Sequence, residues 1–212
     1  MVVINHTGFL DFALAGLPFW REQGRFVRFM AKQEVFTHRV MGPAMRAMHH
    51  IPVDRAAGAA SFRAAVEALR AGELVGIFPE ATISRSFCLK EFKSGATRMA
   101  RLAGVPLIPV TLWGSQRVWT KDHPKNLGRR KLPITAAVGP QFEPSESVPA
   151  AMAQLRETMT ALLHQVQENY PHPAGEYWVP RRLGGSAPTL DEASAIEEAE
   201  LLERARRRAE PS

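Results

Sequence analysis

The sequence predicts an α/β domain: a layered fold with a mixed, largely parallel sheet flanked by helices, followed by a C-terminal helical tail. Two observations carry that expectation. Short apolar runs alternate with stretches of helical periodicity over roughly the first two thirds of the chain, which is the pattern of strand-helix units. Within it, Leu74-Val75-Gly76-Ile77-Phe78 is apolar almost without interruption, as a strand covered on both faces by helices must be.

The elements follow in order. Val2 to Ile4 reads as the end of a buried strand, Asn5 to Gly8 as a turn, and Asp11 to about Arg21 as a helix carrying Phe12, Leu14, Ala15 and Leu17. Phe26 to Ala31 alternates as a strand does. Glu34 to His49 is helical with an expected interruption at Gly42-Pro43, and Ile51-Pro52-Val53 is a short extended piece. Ser61 to Arg70 puts Phe62, Ala65, Val66 and Leu69 on one helical face, with Gly72 as its stop. After the strand Leu74 to Phe78 come a helix from Gly95 to Ala103, closed by Gly104, and a strand from Val105 to Leu112. Trp113 to Lys131 reads as a basic loop, Ile134 to Val138 as an edge strand, and Ser147 as the cap of a helix running to about Tyr170. The division expected is a domain over residues 1–170, a Pro/Gly-rich loop over 171–188 packing back on the body, and a charged helix over 189–212. In that last helix acids precede arginines, which complements the helix dipole, and Glu200 with Arg204 and Glu203 with Arg207 are spaced to pair.

Composition narrows the classes of partner. With 27 Lys and Arg against 21 Asp and Glu, the net charge of +6 favours an anion: nucleic acid, a phosphorylated small molecule or an anionic membrane surface. Nucleic acid is set aside, because the positive residues are scattered, no zinc-finger, helix-turn-helix or RNA-binding aromatic pattern occurs, and 8% aromatic content offers no stacking platform. No apolar run reaches the roughly 18 residues of a membrane span. The single cysteine, Cys88, excludes an internal disulfide and any multi-cysteine metal site, and fits a reducing, cytoplasmic setting. It is read as a packed thiol, not a nucleophile. Adjacent His49 and His50 diverge on a helix and are not read as metal ligands, so no metal is expected.

The stretch from Asn5 to Asp11 carries the first chemical signal. A histidine and an aspartate five positions apart are about 140° apart on a continuous helix. His6 therefore belongs in the turn, with Asp11 in the first turn of the helix reaching back to it. Such a carboxylate fixes the tautomer of an imidazole base.

Three further segments follow in order: Ile51-Pro52-Val53-Asp54-Arg55, Phe78-Pro79-Glu80-Ala81-Thr82-Ile83-Ser84-Arg85 and Val105-Pro106-Leu107-Ile108-Pro109-Val110. Together with Asn5-His6-x-x-x-x-Asp11 they resemble the four sequence blocks of the glycerolipid acyltransferase family, whose members acylate glycerol 3-phosphate, lysophosphatidate and related lysolipids. The resemblance covers roughly residues 2 to 140. It implies transfer of a fatty acyl chain from an acyl-coenzyme A or acyl carrier protein thioester to a hydroxyl of lysophosphatidate in phospholipid synthesis, with His6 as general base and Asp11 orienting it. No cofactor beyond the thioester co-substrate is expected. The alternatives are another acceptor, such as glycerol 3-phosphate, a different lysolipid or a glycolipid, or a non-catalytic membrane-lipid-binding relative.

A phosphorylated acceptor needs fixed cations. The resemblance places Arg55, Glu80, Thr82 and Arg85 around it, with Lys93 and Lys90 next, the Lys93-Ser94-Gly95 step adding a helix N-terminus. Plainer readings stand beside these: Arg55 as a surface partner of Asp54, Glu80 as a cap on the turn after its strand, Lys90 as a solvated lysine. The sequence also departs from the family pattern, which usually has glycine at Ala81, arginine at Ile83 and often serine at Gly8. The family commonly has a membrane-resting helical segment before its first block. Only Met1 to Ile4 precede it here, so an upstream part is read as missing. The expected location is cytoplasmic, peripheral on the inner face of the cell membrane.

Overall fold

The structure is a computed structural model that describes residues 1–54, 58–129 and 131–209. Its core is a sheet of six strands: β1 (Val2–Ile4), β2 (Val27–Lys32), β3 (Ile51–Val53), β4 (Leu74–Ile77), β5 (Ile108–Trp113) and β6 (Thr135–Val138), in the order β3-β2-β4-β1-β5-β6. All neighbours are parallel except β5 and β6, which run antiparallel at one edge. The mixed, largely parallel sheet is as the sequence predicts.

Helices cover both faces. They are α1 (Asp11–Gln23), α2 (Gln33–Thr37), α3 (Met41–Ala47), α4 (Gly58–Arg70), α5 (Gly95–Ala103), α6 (Val148–Glu168) and α7 (Leu190–Ala209). Alternate side chains of a strand point to opposite faces, and β1 shows the consequence. Val3 joins Val66, Leu69, Met99 and Met159 of α4, α5 and α6 on one side, while Val2 and Ile4 join Ala15 and Phe19 of α1 on the other. The three β1 residues are wholly buried.

This topology positions the site. In an open parallel sheet ligands bind beyond the carboxyl ends of the strands. Because β1 pairs directly with β4, Val3 opposite Ile77, the turn after β1 and the segment after β4 emerge side by side.

Several elements differ in detail from expectation. α1 buries Asp11, Ala15 and Phe19, a stripe at four-residue spacing, so Leu17 faces outward at 47% exposure. The break in the helical stretch falls at 38–40 and not at Gly42-Pro43. There His38 Nδ1 accepts from the backbone N–H groups of Val40 and Met41, and Pro43 sits in the first turn of α3, where its missing N–H costs no intrahelical bond. Trp113 closes β5, and the following residues are no solvent loop: Ser115 to Arg117 form a 3-10 turn with Ser115 and Gln116 fully buried. His50 is a core residue. It accepts from Phe29 N–H at 3.0 Å, and burial, with Arg28 nearby, lowers its pKa to about 4.

The segment 171–188 does pack back on the body. Trp178, Val179 and Ala187 are buried, Trp113 Nε1 donates to His172 at 3.0 Å, and Tyr177 stacks on His123. Thr189 and Glu192 then form a reciprocal capping box that starts α7. Glu203 pairs with Arg207 as the spacing predicts; the side chain of Arg204 lies outside the described residues. No described helix is long and apolar enough to cross a membrane.

Candidate active site

The turn after β1 is tied down at every residue. Asn5, buried, uses its side-chain amide as a strand would use its backbone: Nδ2 donates to Leu112 O at 3.0 Å and Oδ1 accepts from Leu112 N–H at 2.7 Å. His6 follows. Its N–H donates to Glu80 Oε1 at 2.9 Å and its carbonyl accepts from Ser84 N–H at 2.8 Å. Asp11, the first residue of α1 and wholly buried, reaches back so that one oxygen, Oδ2, accepts from His6 Nδ1 at 3.0 Å, Thr7 N–H at 2.7 Å and Gly8 N–H at 2.8 Å. Its other oxygen, Oδ1, has no hydrogen-bond partner among the described residues. A Cβ on Gly8 would stand 3.0 Å from Trp119 O, so the glycine permits the 115–119 turn to close over this one.

The imidazole is thereby set in one orientation. With Nδ1 donating to the carboxylate, Nε2 carries the lone pair. The ring stacks on Phe78 at 4.0 Å and retains 19% side-chain exposure.

Glu80 is placed differently from a ligand contact. It is buried, and its second oxygen accepts from Lys90 N–H at 3.0 Å, so both ends of the carboxylate hold backbone. Burial pushes its pKa up to about 7, against the pull of those N–H donors. Ala81, next in line, has a φ of 58°, the left-handed region where glycine carries no steric cost. A glycine, which the resemblance implies at this position, would adopt that conformation freely. Ala81→Gly is expected to stabilise the fold by about 1 kcal/mol, measured by urea unfolding, with no gain if the turn relaxes in solution. Ile83, where the resemblance has a cation, is packed inside at 3% exposure. Cys88 is a free thiol that burial makes less acidic.

The cations divide. Arg85 is buried, with its side chain 4% exposed, and pairs with Asp122 and Glu200. Lys90 pairs with Glu197, and Thr82 accepts from Lys121 Nζ at 2.7 Å. These residues form one cluster. Lys93 stands apart, exposed, its N–H donating to Pro79 O at 2.9 Å. Arg55 lies outside the described residues. Sequence reasoning missed Lys121, Asp122, Glu197 and Glu200, which bond to Thr82, Arg85 and Lys90 from 37 or more positions away; the charges on α7 were legible only as a dipole-matched helix. Among the described residues no group of three His, Cys, Asp or Glu side chains is placed to hold a metal ion. Two surface grooves, of about 520 and 670 Å³, are not lined by His6 or Asp11, though the smaller reaches Lys90.

Comparison with known proteins bears on the same segment. The 1-acyl-sn-glycerol-3-phosphate acyltransferase of Bacillus subtilis is 31% identical over 115 residues, covering 54% of this chain and 55% of that protein. A chloroplastic 1-acyl-sn-glycerol-3-phosphate acyltransferase of Brassica napus is 33% identical over 120 residues, 55% of this chain and 33% of that protein. The chain thus spans about half the length of the first relative and a third of the second. The crystal structure of the 1-acyl-sn-glycerophosphate (LPA) acyltransferase PlsC from Thermotoga maritima superposes with a TM-score of 0.62 over 81% of this chain and 67% of that one. At 21% identity that likeness speaks for the fold. The sequence model described as Acyltransferase matches residues 1–113, the stretch that runs from β1 through the His6–Asp11 turn and the Glu80 loop to the end of β5, and by that match the chain belongs to the acyltransferase family.

Proposed function

We propose that this chain transfers a fatty acyl group from a thioester, acyl-coenzyme A or acyl carrier protein, to a hydroxyl of lysophosphatidate. The observation that carries the reading is His6, oriented through Nδ1 by a buried carboxylate while its side chain keeps 19% exposure. The names of the relatives supply the acceptor. As the acceptor oxygen attacks the thioester carbonyl, His6 Nε2 takes its proton; Asp11 stabilises the imidazolium that forms. The tetrahedral intermediate collapses by breaking the C–S bond, and the imidazolium protonates the departing thiolate. Ester and thiol result, with no covalent acyl-enzyme. Glu80 acts as a positioning residue, since it ties the backbone of His6 to that of Lys90. Arg85, with Lys90 beside it, meets the acceptor's phosphate.

A lipid acceptor calls for a surface from which to collect it. Leu17, Trp20 and Phe26 are exposed at 47%, 52% and 70%, with Arg21 and Arg25 among them. Exposed apolar side chains interspersed with arginines suit the anionic cytoplasmic surface of a bilayer.

The test is thiol release from oleoyl-coenzyme A with an acceptor panel of lysophosphatidate, glycerol 3-phosphate, other lysolipids and a glycolipid. Release matched by phosphatidate formation is expected with lysophosphatidate; none with any acceptor sinks the reading. Arg85→Ala should raise the KM for the phosphorylated acceptor roughly 10- to 100-fold, the worth of a charge-assisted bond, and leave the KM for the thioester unchanged.

A further inference from the structure

Three cations converge beside the catalytic turn, and carboxylates from the far end of the chain lie on them. Glu197 Oε2 accepts from Lys90 Nζ, while Glu197 Oε1 lies 3.7 Å from both Arg85 Nη1 and Lys121 Nζ. Glu200, one turn further along α7, accepts from Arg85 Nη2. Asp122 holds the other side of the Arg85 guanidinium. The cluster abuts the His6 turn from two directions. Arg85 follows Ser84, whose N–H holds His6 O, and Lys121 follows Thr120, whose hydroxyl donates to Thr7 O at 2.7 Å.

The fit of the carboxylates is incomplete. Among the described residues, Arg85 Nη1 and Glu197 Oε1 have no hydrogen-bond partner although both are buried. A planar carboxylate satisfies the charge of this cluster without reaching all its donors. A phosphate monoester, with three oxygens and nearly two charges, can reach them. Burial first, and then the Arg85 charge, lower the pKa of Lys121 against the pull of Glu197 and Glu200.

The helix that brings the carboxylates is lightly held. Among its apolar side chains Ala193 is buried, but Leu190, Ile196, Leu201 and Leu202 are 42% to 64% exposed. Besides the buried Ala193, the capping box and the exposed Arg181–Glu192 pair, it is held among the described residues by these ion contacts, partly buried pairs that dilute salt screens little but that an anion seated on the same cations can replace.

We propose that Arg85, Lys90 and Lys121 form one site for a phosphate monoester, and that Glu197 and Glu200 occupy it as an internal ligand, so that α7 covers the acceptor site until a phosphorylated acceptor displaces it. The proposal rests on the assignment of Arg85 to the acceptor's phosphate. It adds Lys121 to that site and gives α7 a role in gating it.

Hydrogen exchange on the unaltered chain, with glycerol 3-phosphate as the soluble probe, tests the displacement directly. Exchange across residues 190–203 should rise several-fold with the probe and not with sodium chloride at matched ionic strength; unchanged exchange at saturation overturns the proposal. Calorimetry then separates competition from general charge. Glu197→Gln with Glu200→Gln should tighten glycerol 3-phosphate binding about tenfold by removing the fraction of closed sites. Glu198→Gln with Glu203→Gln, the same change of charge on the same helix, should not. Equal effects of the two pairs also overturn it. Lys121→Ala should weaken binding by about tenfold. If Arg85→Ala leaves probe binding intact, the acceptor-site assignment itself falls, an outcome distinct from an α7 that never moves.

Discussion

His6→Ala is expected to remove turnover while leaving the fold in place. A positioned imidazole base contributes about 10²- to 10⁴-fold, and this one must also return its proton to the leaving thiolate, so the loss should lie toward the upper end of that range. The fold survives because the residue's structural bonds are backbone bonds. The N–H to Glu80 and the carbonyl to Ser84 persist in alanine, and Asp11 keeps its donors at Thr7 and Gly8. What is lost is the stack on Phe78 and one hydrogen bond, on the order of 1–2 kcal/mol. Thiol release from oleoyl-coenzyme A, read with urea unfolding of the same samples, decides. Undiminished release removes His6 from the mechanism, and a collapsed unfolding midpoint would mean that the ring holds the turn.

The difference between what the sequence shows and what it hides follows from the range of the interactions. The sheet was legible because its strands are short apolar or alternating runs, three of which, β4, β5 and β6, are followed within two residues by a glycine or proline; the edge position of β6 was legible too, but not its antiparallel direction. The meeting of His6 with Asp11 followed from helix period alone, because both lie within five positions. The inner face of α1 was not legible: its apolar set spans more than one face, and only the docked helix shows that Ala15 and Phe19 are the inner residues and Leu17 an outer one. Glu80 illustrates a different limit. Its partners are N–H groups of His6 and Lys90, which every residue but proline possesses, so nothing in the side-chain sequence distinguishes a carboxylate that holds backbone from one that meets a ligand. The Arg85 cluster was half legible. Arg85 stands in a recognisable block with Lys90 shortly after it, but Lys121 lies in a segment that read as a basic loop, and the α7 carboxylates lie more than 100 positions away on a helix whose charges read as ordinary surface.

Asp11→Asn separates the two services that a carboxylate renders to an imidazole. In many such pairs an amide substitution turns an N–H toward the ring and reverses its tautomer. Here the geometry forbids that. All three donors, His6 Nδ1, Thr7 N–H and Gly8 N–H, converge on the single oxygen Oδ2, whereas Oδ1 is without a hydrogen-bond partner among the described residues. An asparagine therefore places its oxygen at the Oδ2 position, where it keeps all three bonds, and its NH₂ at the Oδ1 position. The opposite rotamer would set that NH₂ against three donors. The orientation and tautomer of His6 are thus retained and the negative charge alone is removed. The expected result is a fall in kcat of about 10²-fold, smaller than that of His6→Ala, because the imidazolium forms without its counter-charge. Neither KM should move. Stability should drop by roughly 1–3 kcal/mol for the buried amide N–H groups left without an acceptor. Asp11→Ala, which releases Thr7 and Gly8 as well as His6, should cost more on both counts. If Asp11→Asn loses as much activity as His6→Ala, the charge and the base act as one unit; if it loses none, Asp11 serves the turn and not the chemistry.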